Sequence, residues 1–203
     1  VHDDGGMGQT AGPAVLNVFP PLAITVQPQG GNVYVGESKT FTIAVSGGIG
    51  QVHYVWRRGA LLLSGDSPQY TIAPVALDDA GDYTCMVVDE GHALVSDIAE
   101  LKVGEPLVIT QGPVGAKKYV GDSQTFGVQV TGGIPPVQYQ WYRDEESIPG
   151  AAAPAYEISP LNLGDQGAYW CEVWDYDATT TLATGRNDAI LRVGNPLEIT
   201  TLP

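Results

Sequence analysis

Apolar and polar residues alternate with a period of two along several short segments of this 203-residue chain. The segment Phe41-Thr42-Ile43-Ala44-Val45 is one of them. Because successive side chains of a strand point to opposite faces of a sheet, this period predicts half-buried β-strands, and the glycines and prolines between them supply turns. The pattern predicts strands near residues 22–27, 40–45, 52–57, 69–72, 81–88 and 98–103, and again near 126–130, 137–142, 156–158, 168–174 and 189–193.

One of these strands carries a motif that occurs twice. Asp79-Ala80-Gly81-Asp82-Tyr83-Thr84-Cys85 returns 86 positions later as Asp165-Gln166-Gly167-Ala168-Tyr169-Trp170-Cys171, and a tryptophan precedes each copy, Trp56 and Trp141. In an immunoglobulin-type sandwich a tryptophan packs in the core and a tyrosine before the second cysteine holds a corner. The sequence therefore predicts an all-β fold of tandem immunoglobulin-like β-sandwiches.

The repeats also predict how the chain is divided. Pro21-Leu22-Ala23-Ile24-Thr25 matches Pro106-Leu107-Val108-Ile109-Thr110, and Pro196-Leu197-Glu198-Ile199-Thr200 matches both. We expect domains over residues 21–104 and 105–194, the last hairpin of a preceding repeat over 1–20, and the first strand of a following repeat over 195–203. The chain is then expected to be one section of a longer tandem array, and proline at each short junction predicts stiff connections between domains.

Cysteine usage departs from the usual extracellular pattern. The position that normally pairs with the second cysteine is occupied by Ile43 in the first copy and by Val128 in the second, each 13 residues before the tryptophan. We therefore expect sandwiches without the intradomain disulfide, in which Cys85 and Cys171 are small buried hydrophobic residues. A catalytic cysteine is the alternative, but no histidine accompanies Cys171 in its domain.

Charge narrows the range of partners. The chain has 23 acidic and 9 basic residues, a net charge of −14, which opposes binding to nucleic acid or to an anionic membrane. No stretch is long and apolar enough to predict membrane insertion. We expect no cofactor, with calcium as the open alternative, although no acidic cluster has the spacing of an EF-hand loop. The clusters are Asp3/Asp4, Asp78/Asp79/Asp82, Asp89/Glu90 and Asp175/Asp177.

The alternation further predicts a possible contact surface. If Tyr169 and Cys171 point into the core, their neighbours point outward, and an exposed apolar surface tends to mark a contact. Three interpretations stay open: cross-strand pairing that stabilises the sheet, packing against a neighbouring domain or filament strand, and a carbohydrate platform on Trp170, Trp174 and Tyr142. The predicted outward residues are Tyr142, Trp170, Trp174 and Tyr176 in the second domain and Val55, Met86 and Val88 in the first.

Three motifs together carry a family resemblance. They are Gly36-Glu37-Ser38-x-Thr40-Phe41-x-Ile43, Tyr54-Val55-Trp56 and Leu77-x-Asp79-x-Gly81-x-Tyr83-x-Cys85, each with a counterpart in the second copy. This set resembles the immunoglobulin-like repeats of large bacterial cell-surface or extracellular fibre proteins. Titin-like muscle repeats are similar in the last motif and also lack the bridge, but the scarcity of lysine and the acidic composition argue against them.

The resemblance implies a non-enzymatic, extracellular or cell-surface protein. No phosphate-binding loop, His/Cys metal cluster or nucleophile elbow is present in the sequence. The predicted function is a structural tandem-repeat protein that self-assembles with neighbouring repeats into a filament, stalk or surface fibre. The alternative is an adhesive module that recognises a glycan or a cell-surface protein through the outer aromatic face and the loop after residue 174 in the second domain.

Overall fold

The chain folds into two β-sandwiches that follow each other along the sequence. The computed structural model describes residues 16–176, 181–186 and 189–198. The predicted all-β fold of tandem immunoglobulin-like sandwiches is confirmed. Most of the two predicted flanking segments, residues 1–15 and 199–203, lies outside the described residues.

The first sandwich contains ten strands within the described residues. A single 3-10 turn, Leu77–Asp79, precedes its longest strand. The strands are β1 (Ala23–Val26), β2 (Gly31–Tyr34), β3 (Lys39–Thr42), β4 (Ala44–Ser46), β5 (His53–Arg58), β6 (Leu61–Leu62), β7 (Gln69–Ile72), β8 (Gly81–Val88), β9 (Ala93–Val95) and β10 (Ala99–Gly104).

The second sandwich repeats this order, again with a 3-10 turn, Leu163–Asp165, before the longest strand. Its strands are β11 (Val108–Gln111), β12 (Ala116–Tyr119), β13 (Gln124–Gly127), β14 (Gln129–Thr131), β15 (Gln138–Arg143), β16 (Glu146–Ser147), β17 (Ala155–Ile158), β18 (Gly167–Trp174), β19 (Thr181–Ala183) and β20 (Ala189–Gly194).

The two sandwiches have the same sheet topology. The larger sheet of the first has the order β2-β10-β8-β5-β6, with β9 paired to β8, and the second has β12-β20-β18-β15-β16, with β19 paired to β18. In each larger sheet the outermost strand, β2 or β12, runs parallel to its neighbour, and the other pairs are antiparallel. Two-stranded pairs complete each sandwich: β1–β4 and β3–β7 in the first, β11–β14 and β13–β17 in the second.

An aromatic cluster fills each core. Phe41 of β3 stacks on Tyr83 of β8 with ring centroids 4.4 Å apart, and the equivalent pair in the second sandwich has the same separation. Trp56 is 1% exposed and donates its indole N–H to the carbonyl of Ser67. Burial of a large apolar side chain contributes about 1.5–3 kcal/mol, so these rings dominate the packing energy.

The predicted tyrosine corner is present in both sandwiches. The Tyr83 hydroxyl donates to the carbonyl of Asp79 at 2.7 Å, and the Tyr169 hydroxyl donates to that of Asp165 at 2.8 Å. This bond satisfies the phenol at the edge of an apolar core. Burial also raises the pKa of both phenols, which therefore stay protonated donors at neutral pH.

Two features of the strand pattern differ from the prediction. The strand expected over 40–45 is two short strands, because β3 pairs with β7 while β4 pairs with β1, and Ile43 between them donates its N–H to Pro68. The prediction also lacked β2, β6 and β9 and their counterparts β12, β16 and β19. Of these, β2 is held by parallel pairing to β10, which lies about 70 residues away in the sequence, and such a pairing leaves no local pattern.

Candidate contact surface

The outer face of β5, β8 and β9 in the first sandwich carries an apolar patch beside the polar residues His53, Arg57 and Thr84. Val55 lies opposite Met86, and Met86 lies opposite Val95 on the other side. Val55 and Met86 are half-buried, whereas Val95 is 64% exposed. Leu62 of β6, which pairs with Arg57, extends this surface and is 60% exposed. We call this surface the first outer face; it consists of Val55, Leu62, Met86, Val88 and Val95.

The equivalent second outer face, on β15, β18 and β19, is aromatic and polar. Tyr142 lies opposite Trp170, and their rings stack with centroids 4.1 Å apart and an interplanar angle of 9°. The Tyr142 hydroxyl donates to Glu172 at 2.7 Å, and this hydrogen bond raises the pKa of the phenol. Trp174 is half-buried at the end of β18. The second outer face consists of Tyr142, Trp170, Glu172 and Trp174.

The expectation that Trp170 is exposed is wrong, because other side chains cover it. Its ring points outward as predicted, yet only 2% of the residue is accessible. Tyr142 covers one part, and the guanidinium of Arg186 lies 4.6 Å from the ring centroid. The indole N–H donates to the carbonyl of Asp144 at 2.7 Å. Trp170 is therefore closed to a stacking ligand.

Tyr176 does not continue the second outer face. The strand β18 ends at Trp174, and Tyr176 lies beside the first sandwich, with the ammonium of Lys102 5.7 Å from its ring centroid. Tyr176 is 55% exposed. The loop that was expected to assist binding runs from here to β20, and residues 177–180 and 187–188 of it lie outside the described residues.

The two sandwiches meet at a joint that was not predicted and that is buried at its centre. The Tyr34 hydroxyl at the end of β2 donates to Asp175 Oδ2 at 2.5 Å, and the N–H of Ile134 donates to the same oxygen at 2.8 Å. Asp175 is 1% exposed and Ile134 is 4% exposed. One carboxylate thus receives a donor from each sandwich. We call this set the joint: Tyr34, Lys102 and Gly104 of the first sandwich with Ile134, Asp175 and Tyr176 of the second.

Glycine is required at the joint because the backbones approach closely. A Cβ at Gly104 would lie 2.7 Å from Cγ1 of Ile134. Gly132 has a φ of +71°, and a Cβ there would lie 2.2 Å from the Pro106 carbonyl oxygen. The linker is also hydrogen-bonded to both sandwiches, since the N–H of Val35 donates to the carbonyl of Gly104 and the N–H of Gly133 donates to the carbonyl of Glu105. These contacts oppose free rotation between the sandwiches.

The signal for the joint was present in the repeats. Gly47-Gly48-Ile49 matches Gly132-Gly133-Ile134, and Asp89 matches Asp175 directly after the long strand. An acidic residue at the same place after both long strands indicates that the backbone there needs a hydrogen-bond acceptor. The matched tyrosines before Val-Gly, Tyr34 and Tyr119, complete the set.

Both cysteines are packed in the cores. Cys85 and Cys171 are fully buried and unbridged. Burial raises the pKa of Cys85 to about 11 and that of Cys171 to about 12. Because the thiolate is the reactive form, neither group is a nucleophile at neutral pH.

Three carboxylates of the acidic clusters considered for calcium, Asp79, Asp89 and Asp175, accept backbone N–H groups. Asp89 accepts N–H groups of Ile49, Gly91 and His92, and these bonds lower its pKa. Asp79 accepts the N–H of Ala76. Within residues 16–176, 181–186 and 189–198, no three His, Cys, Asp or Glu side chains are grouped as metal ligands. Asp3, Asp4 and Asp177 lie outside the described residues.

Comparisons with known proteins find similarity to proteins that contain tandem immunoglobulin-like domains. No family model matches the chain. It is 28% identical over 167 residues to human Fc receptor-like protein 2, an alignment that covers 74% of the chain and 32% of the relative. The chain spans about a third to a half of the length of the first curated relatives that it matches.

Solved structures agree on the fold. Immunoglobulin domains 1–4 of Sidekick-1 superpose with a TM-score of 0.71 at 19% identity, covering 90% of this chain and 51% of that one. The I67–I69 fragment of titin superposes with a TM-score of 0.62 at 21% identity, covering 87% and 67%. The matching relatives are eukaryotic, so a bacterial origin and a fibre-protein identity find no support here.

The described residues include two 3-10 turns and no helix of a length and apolarity that would cross a membrane.

Proposed function

We propose that this chain is an extracellular part of a cell-surface recognition protein, and that the first outer face binds another protein. The observation that carries the proposal is the apolar row Val55-Met86-Val95 across three adjacent strands, with Val95 64% exposed, and with Leu62, 60% exposed, on the neighbouring strand. Contiguous exposed apolar side chains on a sandwich tend to mark a contact surface. The role is non-catalytic and needs no cofactor.

The chemistry of this face favours a protein over a glycan. Sugar rings stack on exposed aromatic rings, and the first outer face has aliphatic and thioether side chains instead. The aromatic rings predicted for a carbohydrate platform are in the second sandwich, where Trp170 is covered by Tyr142 and Arg186. Apolar side chains such as Met86, with Arg57 on the adjoining part of β5, are typical of the centre of a protein interface.

The relatives support the same role. The curated relative described above carries the name of a receptor-like protein. A receptor-type surface protein exposes its immunoglobulin-like domains outside the cell, which agrees with the predicted extracellular location.

A structural rod is the second candidate function, and the joint is the observation that favours it. A carboxylate shared by Tyr34 and Ile134, together with a glycine in contact across the boundary, gives a stiff connection. A stiff pair of sandwiches is suited to a stalk or fibre. Electron microscopy of the native full-length protein tests this role: a regular beaded fibre supports it, and isolated flexible strings oppose it.

The recognition role is tested with a multivalent probe. The chain carrying one biotin is tetramerised on fluorescent streptavidin, so that weak contacts are multiplied by avidity, and is used to stain a panel of cultured cells. We expect staining that is lost after protease treatment of the cells. Met86→Asp places a charge in the centre of the first outer face, and a central contact of this kind is worth about 2 kcal/mol, roughly a thirtyfold loss of monovalent affinity.

The matched control is Thr42→Asp, an exposed position on β3 in the opposite layer. This variant adds the same charge to the same sandwich and should stain as the unmodified chain does. Staining that survives Met86→Asp contradicts the assignment of this face. Staining that is removed by glycosidases and not by protease points to the glycan alternative.

A further inference from the structure

We propose that the joint is a repeating connector, and that the far end of the second sandwich docks a further immunoglobulin-like domain joined to it in tandem. Two matching surfaces make up the connector. The tyrosine end is Tyr34, Lys102 and Gly104 in the first sandwich and Tyr119, Arg192 and Gly194 in the second. The aspartate corner is Ile134 with Asp175 in the second sandwich and Ile49 with Asp89 in the first. This proposal is independent of the binding role of the first outer face.

The contact between the isoleucine N–H and the aspartate is the same in both sandwiches, although Asp89 also accepts the N–H groups of Gly91 and His92. The N–H of Ile49 donates to Asp89 Oδ2 at 2.8 Å, the distance found between Ile134 and Asp175. A second backbone bond closes each corner: the N–H of Glu90 donates to the carbonyl of Ile49, and the N–H of Tyr176 donates to the carbonyl of Ile134. The corner therefore forms without help from a neighbouring domain, and backbone hydrogen bonds hold the buried Asp89 carboxylate in a fixed orientation.

The tyrosine end is likewise duplicated. The N–H of Tyr119 donates to Asp122 at 2.9 Å, as that of Tyr34 donates to Glu37 at 3.0 Å. The next residue in each copy donates to the glycine that ends the last strand, Gly194 or Gly104, at 3.0 Å in both. A basic residue precedes that glycine by two positions in each copy, Lys102 in the first and Arg192 in the second.

The two copies of the aspartate corner, and the two copies of the tyrosine end, differ in the residues that cover them. Ile134 of the occupied corner is 4% exposed, whereas Ile49 of the open corner is 37% exposed. A Cβ at Gly104 would lie 2.7 Å from Ile134, whereas a Cβ at Gly194 would meet no atom within 4 Å among the described residues. Tyr119 is 53% exposed. Ile49 and Tyr119 thus remain exposed where their counterparts in the joint contact the other sandwich, whereas the Asp89 side chain is already buried within the first sandwich.

The occupant is a tandem domain rather than a separate protein. The joint relies on one short hydrogen bond, one cation–ring contact and one apolar contact, at Tyr34, Lys102 and Ile134. So few contacts would not hold two separate molecules together against the loss of translational freedom. A short linker removes that loss by keeping the surfaces at high effective concentration.

An extended chain tests the proposal. Residues 1–195 are continued directly by a second segment, residues 106–203, so that Asn195 takes the place of Glu105 before an added copy of the second sandwich. Asp175 of the added copy then faces Tyr119. Residual dipolar couplings report whether the second and third sandwiches share one alignment tensor, and we expect that they do.

Two variants identify the residues responsible. Gly194→Val in the extended chain places side-chain atoms where Ile134 of the added copy must lie, and we expect the shared alignment to be lost. Tyr119→Phe removes one hydrogen bond to a carboxylate and should lower the docked-to-undocked ratio about tenfold. The control is Gly194→Val in the original chain, where the space is open and the spectrum should be unchanged except near the substitution.

The outcomes separate cleanly. Independent alignment of the third sandwich in the unsubstituted extended chain overturns the proposal. Shared alignment that survives Gly194→Val also overturns it, because the linker alone would then fix the orientation. Shared alignment that depends on both Gly194 and Tyr119 supports it.

Discussion

The two sandwiches have the same strand pairs and nearly the same cores, yet their outer faces differ. Trp56 pairs with Cys85 as Trp141 pairs with Cys171, on the inner side of matching strands. On the outer side, Val55 and Met86 stand in the first sandwich where Gln140 and Glu172 stand in the second. The inner residues specify the fold, because any change there alters the packing. The outer residues are free of that constraint, and they are where the two domains diverge.

Two sequence differences between the sandwiches explain why Trp170 is covered in the second outer face. Thr84 in the first sandwich corresponds to Trp170 in the second, and Gly59 corresponds to Asp144. Gly59 and Asp144 have the same left-handed backbone, with φ of 53° and 54°. Aspartate tolerates this conformation better than most residues do. Its carboxylate accepts the N–H of Ala168 while its carbonyl accepts the indole N–H of Trp170. The turn therefore holds the large ring in place.

Trp170→Ala should have the largest effect on stability among the substitutions that test this difference between the two sandwiches. The substitution removes the stack on Tyr142, the contact with Arg186 and the hydrogen bond to Asp144. For a nearly buried tryptophan we expect a loss of about 3–5 kcal/mol in the free energy of unfolding of the second sandwich. Urea unfolding followed by fluorescence measures it.

The matched variant is Thr84→Ala, at the same position in the first sandwich. Thr84 is half-buried and covers no comparable network, so we expect a change within about 0.5 kcal/mol. Equal effects of the two substitutions would show that the closed face of the second sandwich contributes no additional stability.

The sequence predicts the cores better than it predicts the surfaces. The repeated Tyr-x-Cys and the preceding tryptophan place the buried side chains correctly, because core residues follow the strand period and lie near each other in the motif. The period also gives the outward direction of Trp170. It does not give its burial, because the residues that cover it, Arg186 and Asp144, come from other elements. Cover of this kind depends on contacts between distant segments.

The joint shows the same division between local and distant information. Each half is visible in the repeat as a matched tyrosine or a matched aspartate. That the two halves meet depends on the course of the linker, which brings Tyr34 to a residue 141 positions away. No periodicity encodes such a contact.

Tyr34→Phe, compared with Tyr119→Phe, tests the difference between the tyrosine end that contacts Asp175 and the equivalent end of the second sandwich. Its hydroxyl donates to buried Asp175, and the removal of one partner leaves a carboxylate oxygen less well satisfied. We expect a loss of about 1 kcal/mol in the stability measured by denaturant unfolding of the chain. Tyr119→Phe is the control: Tyr119 is 53% exposed, and its substitution should change stability by no more than about 0.5 kcal/mol. A larger loss for Tyr119→Phe than for Tyr34→Phe would contradict the assignment of the occupied end.

Asp89→Asn probes the aspartate corner of the first sandwich, and its effect should depend on pH. The N–H groups of Ile49, Gly91 and His92 favour the ionised form and hold the pKa of Asp89 below its usual range. A carboxyl whose pKa is lowered by folding stabilises the native state above its unfolded pKa, which is about 3.9, and loses that contribution as the pH falls through the folded value. The difference in Tm between the unmodified chain and Asp89→Asn should therefore be constant from about pH 7 to pH 5 and shrink below about pH 4, where protonated aspartic acid resembles asparagine. Thermal unfolding followed by circular dichroism measures both curves. A difference that persists undiminished at the acid end would mean that the ionised form of Asp89 is not what holds the open corner in the geometry that it shares with the occupied one.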